Sequence, residues 1–508
     1  MPVFPLTDKA ILLREGDDVA VAKSPLAPGD VLVHQGHELP VLERVPVGHK
    51  VAVQAVPQGH PVRKYGHSIG HATAAIRPGE WVHIHNMDAG PLKLAYEFGT
   101  EATPVPTYPE AETRTFPGYV RADGRVGTRN YVAVISTVNC SASAANKIAR
   151  LLVDRRNAGF PNVDGVMAVT HKVGCAMAVG GRDHRVLQRA LAGIATHPNV
   201  AAYMIVGLGC EVNAASFLLR DMGLAGPVLN VQECGGVQRT VELGAAEGLK
   251  LLQVANRCQR KQVPISHLVV GTNCGGSDAN SGITANPALG LAGDELVRHG
   301  GTWLIGETPE TYGAEHLLTR RAASREVAEK LLALMRWWEE YTAALGDRID
   351  NNPAPGNKEG GLTTIYEKSL GAVMKGGNTP LVAVYDYAER IRHRGFCFMD
   401  TPGFDPVSVT GLVAGGCSLV AFTTGRGSCL GFQPAPCLKI ATNTALYEQM
   451  PDDMDINAGV ILEGAPMEDV AAHIFEELLA VAGGKPTKSE SQGLGQEEFA
   501  PWLCGPVL

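Results

Sequence analysis

The sequence predicts a multidomain α/β protein, in which a small β-rich N-terminal domain precedes two α/β domains with mainly parallel sheets. The first observation is the length, because 508 residues exceed a single core of ordinary size and suggest two to four domains. The second is a change near Tyr119, where short β-type segments give way to apolar runs that alternate with helical stretches. The third is that polar and cysteine residues follow those runs, as at the carboxyl ends of parallel strands that form a ligand site.

Residues 1–100 form the predicted β-rich domain. Its short apolar segments, such as 19–21 and 51–53, are separated by Pro/Gly turns. Eight of the 16 histidines fall between His34 and His85. Residues 101–118 are rich in proline and are expected to form a linker.

Residues 119–349 form the predicted first α/β domain, and residues 350–508 the second, with the Asn/Pro/Gly-rich segment 350–361 at the boundary. The strand candidates of the first are 131–138, 165–170, 203–207, 227–231 and 268–272. The polar and cysteine residues at their ends are Asn139-Cys140, His171, Cys210-Glu211, Gln232-Glu233-Cys234 and Asn273-Cys274. Because ligands bind outside the carboxyl ends of such strands, these residues predict a site.

Composition excludes several classes of protein. A net charge of -8 provides no basic surplus for phosphates, so no nucleic-acid partner is expected. No apolar run reaches the roughly 18 to 20 residues of a membrane span, and the N-terminus lacks the pattern of a signal peptide. A cytoplasmic location is therefore expected, and the 11 cysteines are interpreted as thiols rather than as a disulfide framework.

The segment 271–290 contains the densest set of candidate site residues. Its glycines allow close approach of the backbone to a ligand and leave amides free to bind an anion. An ordinary polar turn with a helix cap explains the same composition. The candidates within it are Asn273, Cys274, Ser277, Asp278 and Asn286.

Two cationic residues on loops are candidates for binding a carboxylate. Lys358 lies in the loop 352–361, and a lysine there can bind an anion or carry a proton if it is desolvated. Arg426 lies between glycines in 423–427, where a bidentate contact to a carboxylate is possible. Ordinary surface positions remain the alternative for both.

Histidines and thiols supply candidate metal ligands. His83 and His85 alternate on a predicted strand, which would place both imidazoles on one face; two solvated edge-strand histidines are the alternative. Glu211 and the thiols at the predicted strand ends could also hold iron, and three or four thiolates could hold an iron–sulfur cluster. For each cysteine alone, a small buried hydrophobic residue is the favoured interpretation.

These motifs resemble the altronate/galactarate dehydratase family over most of the chain. The matching segments are 48–50, 64–70, 118–119, 123–130, 207–211, 274–287, 352–361, 423–427, 439–443 and 455–459. The resemblance identifies residues 1–100 as similar to an SAF domain. The His-x-His-Asn sequence at 83–86 resembles the altronate branch, whereas 231–238 resembles neither branch.

The resemblance implies a hydro-lyase that converts a small anionic 2,3-dihydroxy acid into a 2-keto-3-deoxy acid. It also implies a divalent metal, most often Fe(2+) with Mn(2+) as the other candidate, and a homo-oligomer of two or more copies. One relative of the family eliminates sulfite from sulfolactate, so a C–S lyase is an alternative. An iron–sulfur dehydratase that uses Cys140, Cys175, Cys210 and Cys274 is a second, and a degenerate sugar-acid sensor is a third.

Within this reading we assign provisional roles by residue type. His171, Lys358 and Asp278 are the catalytic candidates, with His171 as the general base because its ordinary pKa lies near neutrality. The candidates for substrate binding are Arg426, Asn273, Ser277, Asn286 and Lys439. The candidate metal ligands are His83, His85, Glu211 and Cys274.

Overall fold

The computed structural model describes residues 2–91 and 94–505. It confirms the predicted fold class, a β-rich N-terminal domain followed by α/β domains with parallel sheets. Within the described ranges, no helix has both the length and the apolar character needed to cross a membrane.

The N-terminal domain consists of short strands in three small sheets. The sheets have the orders β2-β3-β6-β9, β1-β4-β5 and β10-β8-β7, and most of their pairs are antiparallel. The elements are β1 (Val3–Pro5), α1 (Leu6–Lys9), β2 (Ala10–Ile11), β3 (Val19–Ala22), β4 (Val31–His34), β5 (His37–Pro40), β6 (Lys50–Ala52), β7 (Pro61–Lys64), β8 (His67–Ala72), β9 (Trp81–Val82) and β10 (Met87–Asp88).

A second unit is built on a four-stranded parallel sheet of order β14-β13-β15-β16, and an antiparallel sheet β12-β11-β17 lies at its junction with the rest. The elements are β11 (Thr115–Val120), β12 (Val126–Gly127), β13 (Tyr131–Ser136), α2 (Asn139–Gly159), β14 (Gly165–Val169), α3 (Arg182–Ala195), β15 (Val200–Gly207), α4 (Ala215–Asp221), β16 (Val228–Asn230), α5 (Val237–Asn256) and β17 (Lys261–Pro264). All six residues of β13 are buried because helices cover both faces of the sheet, α2 and α5 on one and α3 on the other.

The third unit is built on a seven-stranded parallel sheet of order β20-β21-β19-β18-β22-β23-β24. Its elements are β18 (Val269–Cys274), α6 (Ala285–Arg298), β19 (Thr302–Ile305), α7 (Glu315–Arg320), α8 (Arg325–Ala344), α9 (Pro355–Glu359), α10 (Ile365–Ala372), β20 (Leu381–Tyr385), β21 (Gly395–Met399), α11 (Asp405–Gly415), β22 (Leu419–Thr424), β23 (Cys437–Ala441), α12 (Thr444–Gln449), β24 (Ile456–Asn457), α13 (Met467–Ala482) and α14 (Lys488–Ser491). Helices α6 and α13 pack on one face and α11 on the other.

The expected division at residues 349/350 runs through this seven-stranded sheet. Strands β18 and β19 precede residue 350, whereas the other five strands follow it. The segment 350–361, interpreted as a boundary, is a loop with one short helix inside a long crossover between β19 and β20. The expected linker 101–118 likewise ends in a strand, since β11 pairs with β17.

Both parallel sheets have a point at which the strand order reverses. In the four-stranded sheet it lies at β13, which has β14 on one side and β15 on the other. In the seven-stranded sheet it lies between β18 and β22. Crevices form outside the carboxyl ends of strands at such points, and each sheet therefore provides a place for a ligand.

Candidate active site

The carboxyl end of β18 carries the candidate site. Asn273 and Cys274 end this strand, and both are buried. Glu307 and Glu310 follow the neighbouring strand β19 and are also buried. The Cys274 sulfur and one oxygen of each glutamate lie within 4.8 Å of one another. We call Cys274, Glu307 and Glu310 the acidic cluster.

Backbone geometry brings Glu307 to Cys274. The Cys274 amide donates to Glu307 Oε2 over 3.0 Å, and the Glu307 amide donates to Thr401 Oγ1 over 2.7 Å. Glu307 has a φ of 63° and a ψ of 56°, a left-handed conformation that residues other than glycine rarely adopt. Such strain persists only where the surroundings impose it, and it concentrates at functional sites.

Two buried lysines reach the acidic cluster from α10 and the turn after it. Lys375 Nζ lies 2.6 Å from Glu307 Oε2 and 2.8 Å from Cys274 Sγ. Lys368 Nζ lies 2.7 Å from Glu310 Oε1. Buried charges need partners, so the two ammonium groups and the two carboxylates stabilise one another.

A third carboxylate, that of Asp405, begins α11 beside the acidic cluster. Its Oδ1 accepts a hydrogen bond from Asn273 Nδ2 over 3.0 Å. Gly275 passes so close that a Cβ at this position would collide with Asp405 Oδ2. The contact between strand end and carboxylate therefore requires glycine at position 275.

Burial raises the pKa of Glu307, Asp405 and Cys274 in this site. The pKa of Glu307 rises to about 7, since burial outweighs the opposing effect of Lys375. The pKa of Asp405 also rises to about 7, because the group is buried and because Glu307 and Glu310 are close. Burial and Glu307 raise the pKa of the Cys274 thiol. Burial alone would lower the pKa of Lys375, but Cys274 and Glu307 outweigh it and raise that pKa.

Two buried oxygens of the site lack a hydrogen-bond partner. They are Glu307 Oε1 and Asn273 Oδ1. Leaving such an atom unpaired costs about 1–3 kcal/mol, which a bound cation or a donor on a ligand would offset. One thiol and two carboxylates are also donor types that suit iron or manganese. The residues present therefore fit a divalent metal ion, which would take over part of the neutralisation that Lys375 and Lys368 provide.

The polar segment after Cys274 forms a wall of the site rather than an open donor set. Asp278 is buried, and its carboxylate accepts hydrogen bonds from the side chains of Ser281, Thr442 and Asn443. Ser277 is also buried, and its carbonyl accepts from the loop that follows residue 350. The carboxylate of Asp278 is thus used in holding two chain segments together, its own turn and the residues after β23.

Asn286 and Lys439 lie within the packed sheet and helix layers. Asn286 Nδ2 donates to the Gly371 carbonyl over 2.9 Å, and its Oδ1 accepts from Thr423 Oγ1 over 2.7 Å. Lys439 is fully buried, and its Nζ lies 3.9 Å from Asp453 Oδ1. The contacts of Asn286 are therefore those of a side chain that stabilises the packing of the fold.

Arg426 and Lys358 lie at the outer rim of the same strand ends. The Arg426 side chain is 48% exposed, and its Nη2 donates to Glu359 Oε2 over 3.2 Å. Lys358, in the last turn of α9, is half-buried. The carbonyl of Glu359 lies 3.1 Å from His49 Nε2, so the N-terminal domain meets the rim here.

His83 and His85 lie on a turn and not on the strand expected for them. Strand β9 ends at Val82, and the Asn86 amide donates to the His83 carbonyl over 3.0 Å. Asn86 Oδ1 accepts in return from the His83 amide over 2.9 Å, which fixes the turn. His83 is buried with its Nδ1 unpaired, whereas His85 is exposed. Burial, with Lys50 and His49 nearby, lowers the pKa of His83 to about 3.

A buried charged triad attaches the N-terminal domain to α10. Lys50 Nζ lies 2.9 Å from Glu367 Oε2, and Lys64 Nζ lies 2.9 Å from Glu367 Oε1. All three side chains are fully buried. Burial lowers the pKa of Lys50 to about 8 despite the neighbouring carboxylate of Glu367. This triad fixes the position of the N-terminal domain, which carries His49.

His171 and Glu211 belong to the other parallel sheet. His171 is buried, with Nε2 3.0 Å from the Ser136 carbonyl and Nδ1 accepting from the Val173 amide, so both ring nitrogens are used. Burial lowers its pKa to about 4. Glu211 accepts from Thr137 Oγ1 over 2.6 Å and from two backbone amides. Of the four predicted metal ligands, only Cys274 belongs to the acidic cluster.

Five residues of the site escaped the reading of the sequence: Glu307, Glu310, Lys368, Lys375 and Asp405. The glutamates had a usable signal, because they follow an apolar run at 302–305 as the other candidates follow theirs. Asp405 similarly comes shortly after the apolar run at 396–399. The lysines had no local signal, since only the tertiary fold brings α10 to the end of β18.

Models of one family match nearly the whole chain. "Altronate/galactarate dehydratase SAF domain" matches residues 8–90, "D-galactarate dehydratase/Altronate hydrolase, second domain" matches 118–256, and "D-galactarate/Altronate dehydratase, C-terminal" matches 265–507. The two breaks between these matches lie close to the ends of the N-terminal domain and of the four-stranded unit.

Three curated relatives are similar over most of their length. Altronate dehydratase of Bacillus subtilis is 34% identical over 502 residues, which is 98% of this chain and 99% of the relative. Galactarate dehydratase (L-threo-forming) of Escherichia coli is 39% identical over 487 residues, 92% of each chain. The β subunit of (2R)-sulfolactate sulfo-lyase of Chromohalobacter salexigens is 33% identical over 399 residues, 77% of this chain and 97% of the relative.

A buried cluster of acids, a thiol and lysines at the switch point of a parallel sheet defines an α/β enzyme. The chain belongs to the galactarate/altronate dehydratase family, whose models cover its three units.

Proposed function

We propose that this protein is a metal-dependent hydro-lyase that removes water from a sugar acid or a related 2,3-dihydroxy acid and releases a 2-keto-3-deoxy acid. The observation that carries the proposal is the acidic cluster, where three potential metal ligands, two buried lysines and Asp405 converge at one strand end. Family membership supports the same reaction class, because the similar dehydratases act on altronate and galactarate.

Cys274, Glu307 and Glu310 are the residues we propose to hold the metal, which we propose to be Fe(2+), with Mn(2+) as the other candidate. A divalent cation bound there would act as a Lewis acid that stabilises negative charge on the substrate oxygens. This assignment retains Cys274 from the sequence-based ligand set and replaces His83, His85 and Glu211.

The remaining residues of the site supply proton transfer and charge. Asp405, with its pKa near 7, takes the C2 proton of the substrate. Lys375 stabilises the enediolate that results, and Lys368 gives its proton to the departing C3 hydroxyl, which leaves as water. The enol product then tautomerises to the 2-keto acid. His171 is unsuited to the base role, because both of its ring nitrogens are hydrogen-bonded to backbone groups.

Arg426 and Lys358 are the residues we propose to receive the substrate carboxylate. Both lie at the rim above the acidic cluster, where Arg426 is half exposed and can exchange its contact with Glu359 for a bidentate contact to a ligand. The identity of the acid, a homo-oligomeric state and a cytoplasmic location stay predictions.

The test is turnover by reduced, Fe(II)-loaded protein on a panel of aldonates and aldarates, with formation of 2-keto acid as the readout. We expect at least one substrate, and we expect Glu307→Gln to reduce its turnover by about 1,000-fold, the size of effect typical when a preorganised charged group is lost. Glu476→Gln makes the same change in an exposed ion pair with Arg114 and should retain activity. Equal turnover by the two variants would refute the assignment of the acidic cluster.

A C–S lyase is the second candidate function. It is favoured by the similarity to the sulfo-lyase β subunit, 97% of which is matched by this chain. Adding a sulfonated 2-hydroxy acid to the panel distinguishes the two, because sulfite rather than water would leave. Release of sulfite at a higher kcat/KM than that of any sugar acid would establish the C–S lyase in place of the dehydratase.

A further inference from the structure

Three exposed cysteines follow three neighbouring strands at the carboxyl end of the four-stranded sheet. Cys140 is the second residue of α2, directly after the central strand β13. Cys175 follows β14 and Cys210 follows β15, the two strands that flank β13. We call Cys140, Cys175 and Cys210 the thiol crest. It occupies the switch point of its sheet, and the proposed mechanism uses none of its residues.

Hydrogen bonds beside each cysteine hold the three loops together. The Asn139 amide donates to the Val173 carbonyl over 3.0 Å, which ties the start of α2 to the loop of Cys175. The Asn213 amide donates to the Gly174 carbonyl over 2.9 Å, and Asn213 Nδ2 donates to the Thr137 carbonyl over 2.9 Å. Every cysteine of the crest thus lies next to, or close to, a residue that is fixed to a neighbouring loop.

Glu211 completes this framework on the side of Cys210. Its carboxylate accepts from Thr137 Oγ1 over 2.6 Å, from the Leu208 amide over 3.2 Å and from the Gly209 amide over 2.6 Å. The side chain therefore positions the loop and has its oxygens occupied. The thiols, by contrast, are exposed, unlike the buried structural cysteines Cys397 and Cys417.

A buried side chain with an unused oxygen lies among these loops. Asn213 is fully buried, and its Oδ1 has no hydrogen-bond partner. Cys140 also lies in the first turn of a helix of 21 residues. The positive end of that helix favours an anionic group bound beside it.

The arrangement of the thiols does not meet the spacing that a single tetrahedral ion requires. A tetrahedral ion with metal–sulfur bonds of about 2.3 Å needs its sulfurs only about 4 Å apart. The three crest sulfurs are not all within 4.8 Å of one another, since the acidic cluster alone meets that condition among the described residues. A four-iron cluster binds each thiolate to a different iron and spaces the sulfurs more widely.

We propose that the thiol crest binds a [4Fe–4S] cluster through Cys140, Cys175 and Cys210. The three thiols lose their protons on binding, and each thiolate forms a bond to one iron. The fourth iron has no ligand from the crest and is open to a carboxylate or hydroxyl oxygen of a small hydroxy acid. Cys274 takes no part, because it lies in the other sheet, buried against Lys375 and Glu307. The proposal is independent of the function assigned to the acidic cluster.

The test is anaerobic reconstitution of the full chain with ferric iron, sulfide and a dithiol, which reduces half of the iron. We expect about four irons and four acid-labile sulfides per chain, with visible absorbance near 400 nm. Cys140→Ser, Cys175→Ser and Cys210→Ser should each lose most of this absorbance. Cys429→Ser, at an exposed thiol outside the crest, is the matched control and should retain it.

Separate outcomes distinguish this proposal from the proposed function. Glu307→Gln should retain the absorbance while losing turnover, whereas the crest variants should lose the absorbance with far-UV circular dichroism and melting temperature unchanged. A colourless wild-type protein after reconstitution would overturn the proposal. So would retention of full iron and sulfide by all three crest variants, or binding of a single iron without sulfide.

Discussion

The two parallel sheets carry chemically different groups at the same architectural position. In the seven-stranded sheet, the switch point holds buried carboxylates, a buried thiol and lysines. In the four-stranded sheet, the equivalent edge holds exposed thiols, and the carboxylate of Glu211 at this edge is fully hydrogen-bonded. The topology therefore determines where a site forms, and burial determines which chemistry that site can perform.

The balance between burial and hydrogen bonding explains why the pKa values of Glu307 and Glu211 are shifted in opposite directions. Burial outweighs the nearby lysine and raises the pKa of Glu307 to about 7. Glu211 is also withdrawn from solvent, but its hydroxyl and amide donors outweigh burial, and its pKa is lowered. The first carboxylate is suited to metal binding or proton transfer, whereas the second remains an anion that shapes a loop.

The largest effect on stability should come from removing a buried lysine at the carboxyl end of the seven-stranded sheet. Lys375→Met leaves Glu307 and Cys274 without their ammonium partner, which should lower the free energy of unfolding by about 3 kcal/mol, the lower end of the cost of breaking a buried pair. Lys330→Met, which removes an exposed lysine, is the control. Chemical denaturation measures both, and equal stability of the two variants would show that the lysine is not needed to balance the cluster.

Removing a carboxylate at the carboxyl end of the four-stranded sheet should have a smaller effect on stability. Glu211→Gln replaces one accepting oxygen with an amide that cannot accept from Thr137 or the backbone, at a cost of about 2 kcal/mol. Thermal unfolding should show this loss, whereas Glu247→Gln on the surface of α5 should leave the melting temperature unchanged. If Glu211→Gln melts with the wild type, the carboxylate does not hold the loop.

Acid should weaken the junction between the two sheets. His197 is fully buried, with Nε2 3.0 Å from the Cys417 carbonyl, and burial lowers its pKa to about 3. Its stabilising effect is complete above the unfolded pKa of about 6.5 and is lost as the pH falls toward 3, at about 1.4 kcal/mol per pH unit. The difference in unfolding free energy between wild type and His197→Asn should therefore shrink from pH 7 to pH 4.5. A constant difference would contradict this linkage.

The smallest expected effect lies at the rim. Arg426→Gln removes a half-exposed guanidinium that we propose binds the substrate carboxylate, so KM should rise about tenfold, equivalent to about 1.4 kcal/mol, with kcat little changed. Arg220→Gln, on the surface of α4, provides the control. A fall in kcat without a rise in KM would place Arg426 in the chemical step instead.

The sequence predicted the sheets better than the site. Strands such as 131–136 and 269–274 are apolar runs whose signal is local, and the residues after them did form the two edges. The turn at 83–86 was misread because alternating histidines resemble a strand, while the hydrogen bonds of Asn86 close a turn. Lys368 and Lys375 lie about 100 residues from Cys274, and no local pattern records a contact made only when β18 and α10 pack.

The triad of Lys50, Lys64 and Glu367 connects the N-terminal domain to the acidic cluster through α10. Glu367 is held by the N-terminal domain, and the next residue, Lys368, is held by Glu310 in the acidic cluster. A displacement of the N-terminal domain would thus be transmitted to the acidic cluster across a single peptide bond. The position of the small domain therefore sets the position of Lys368, the residue that we propose as the proton donor.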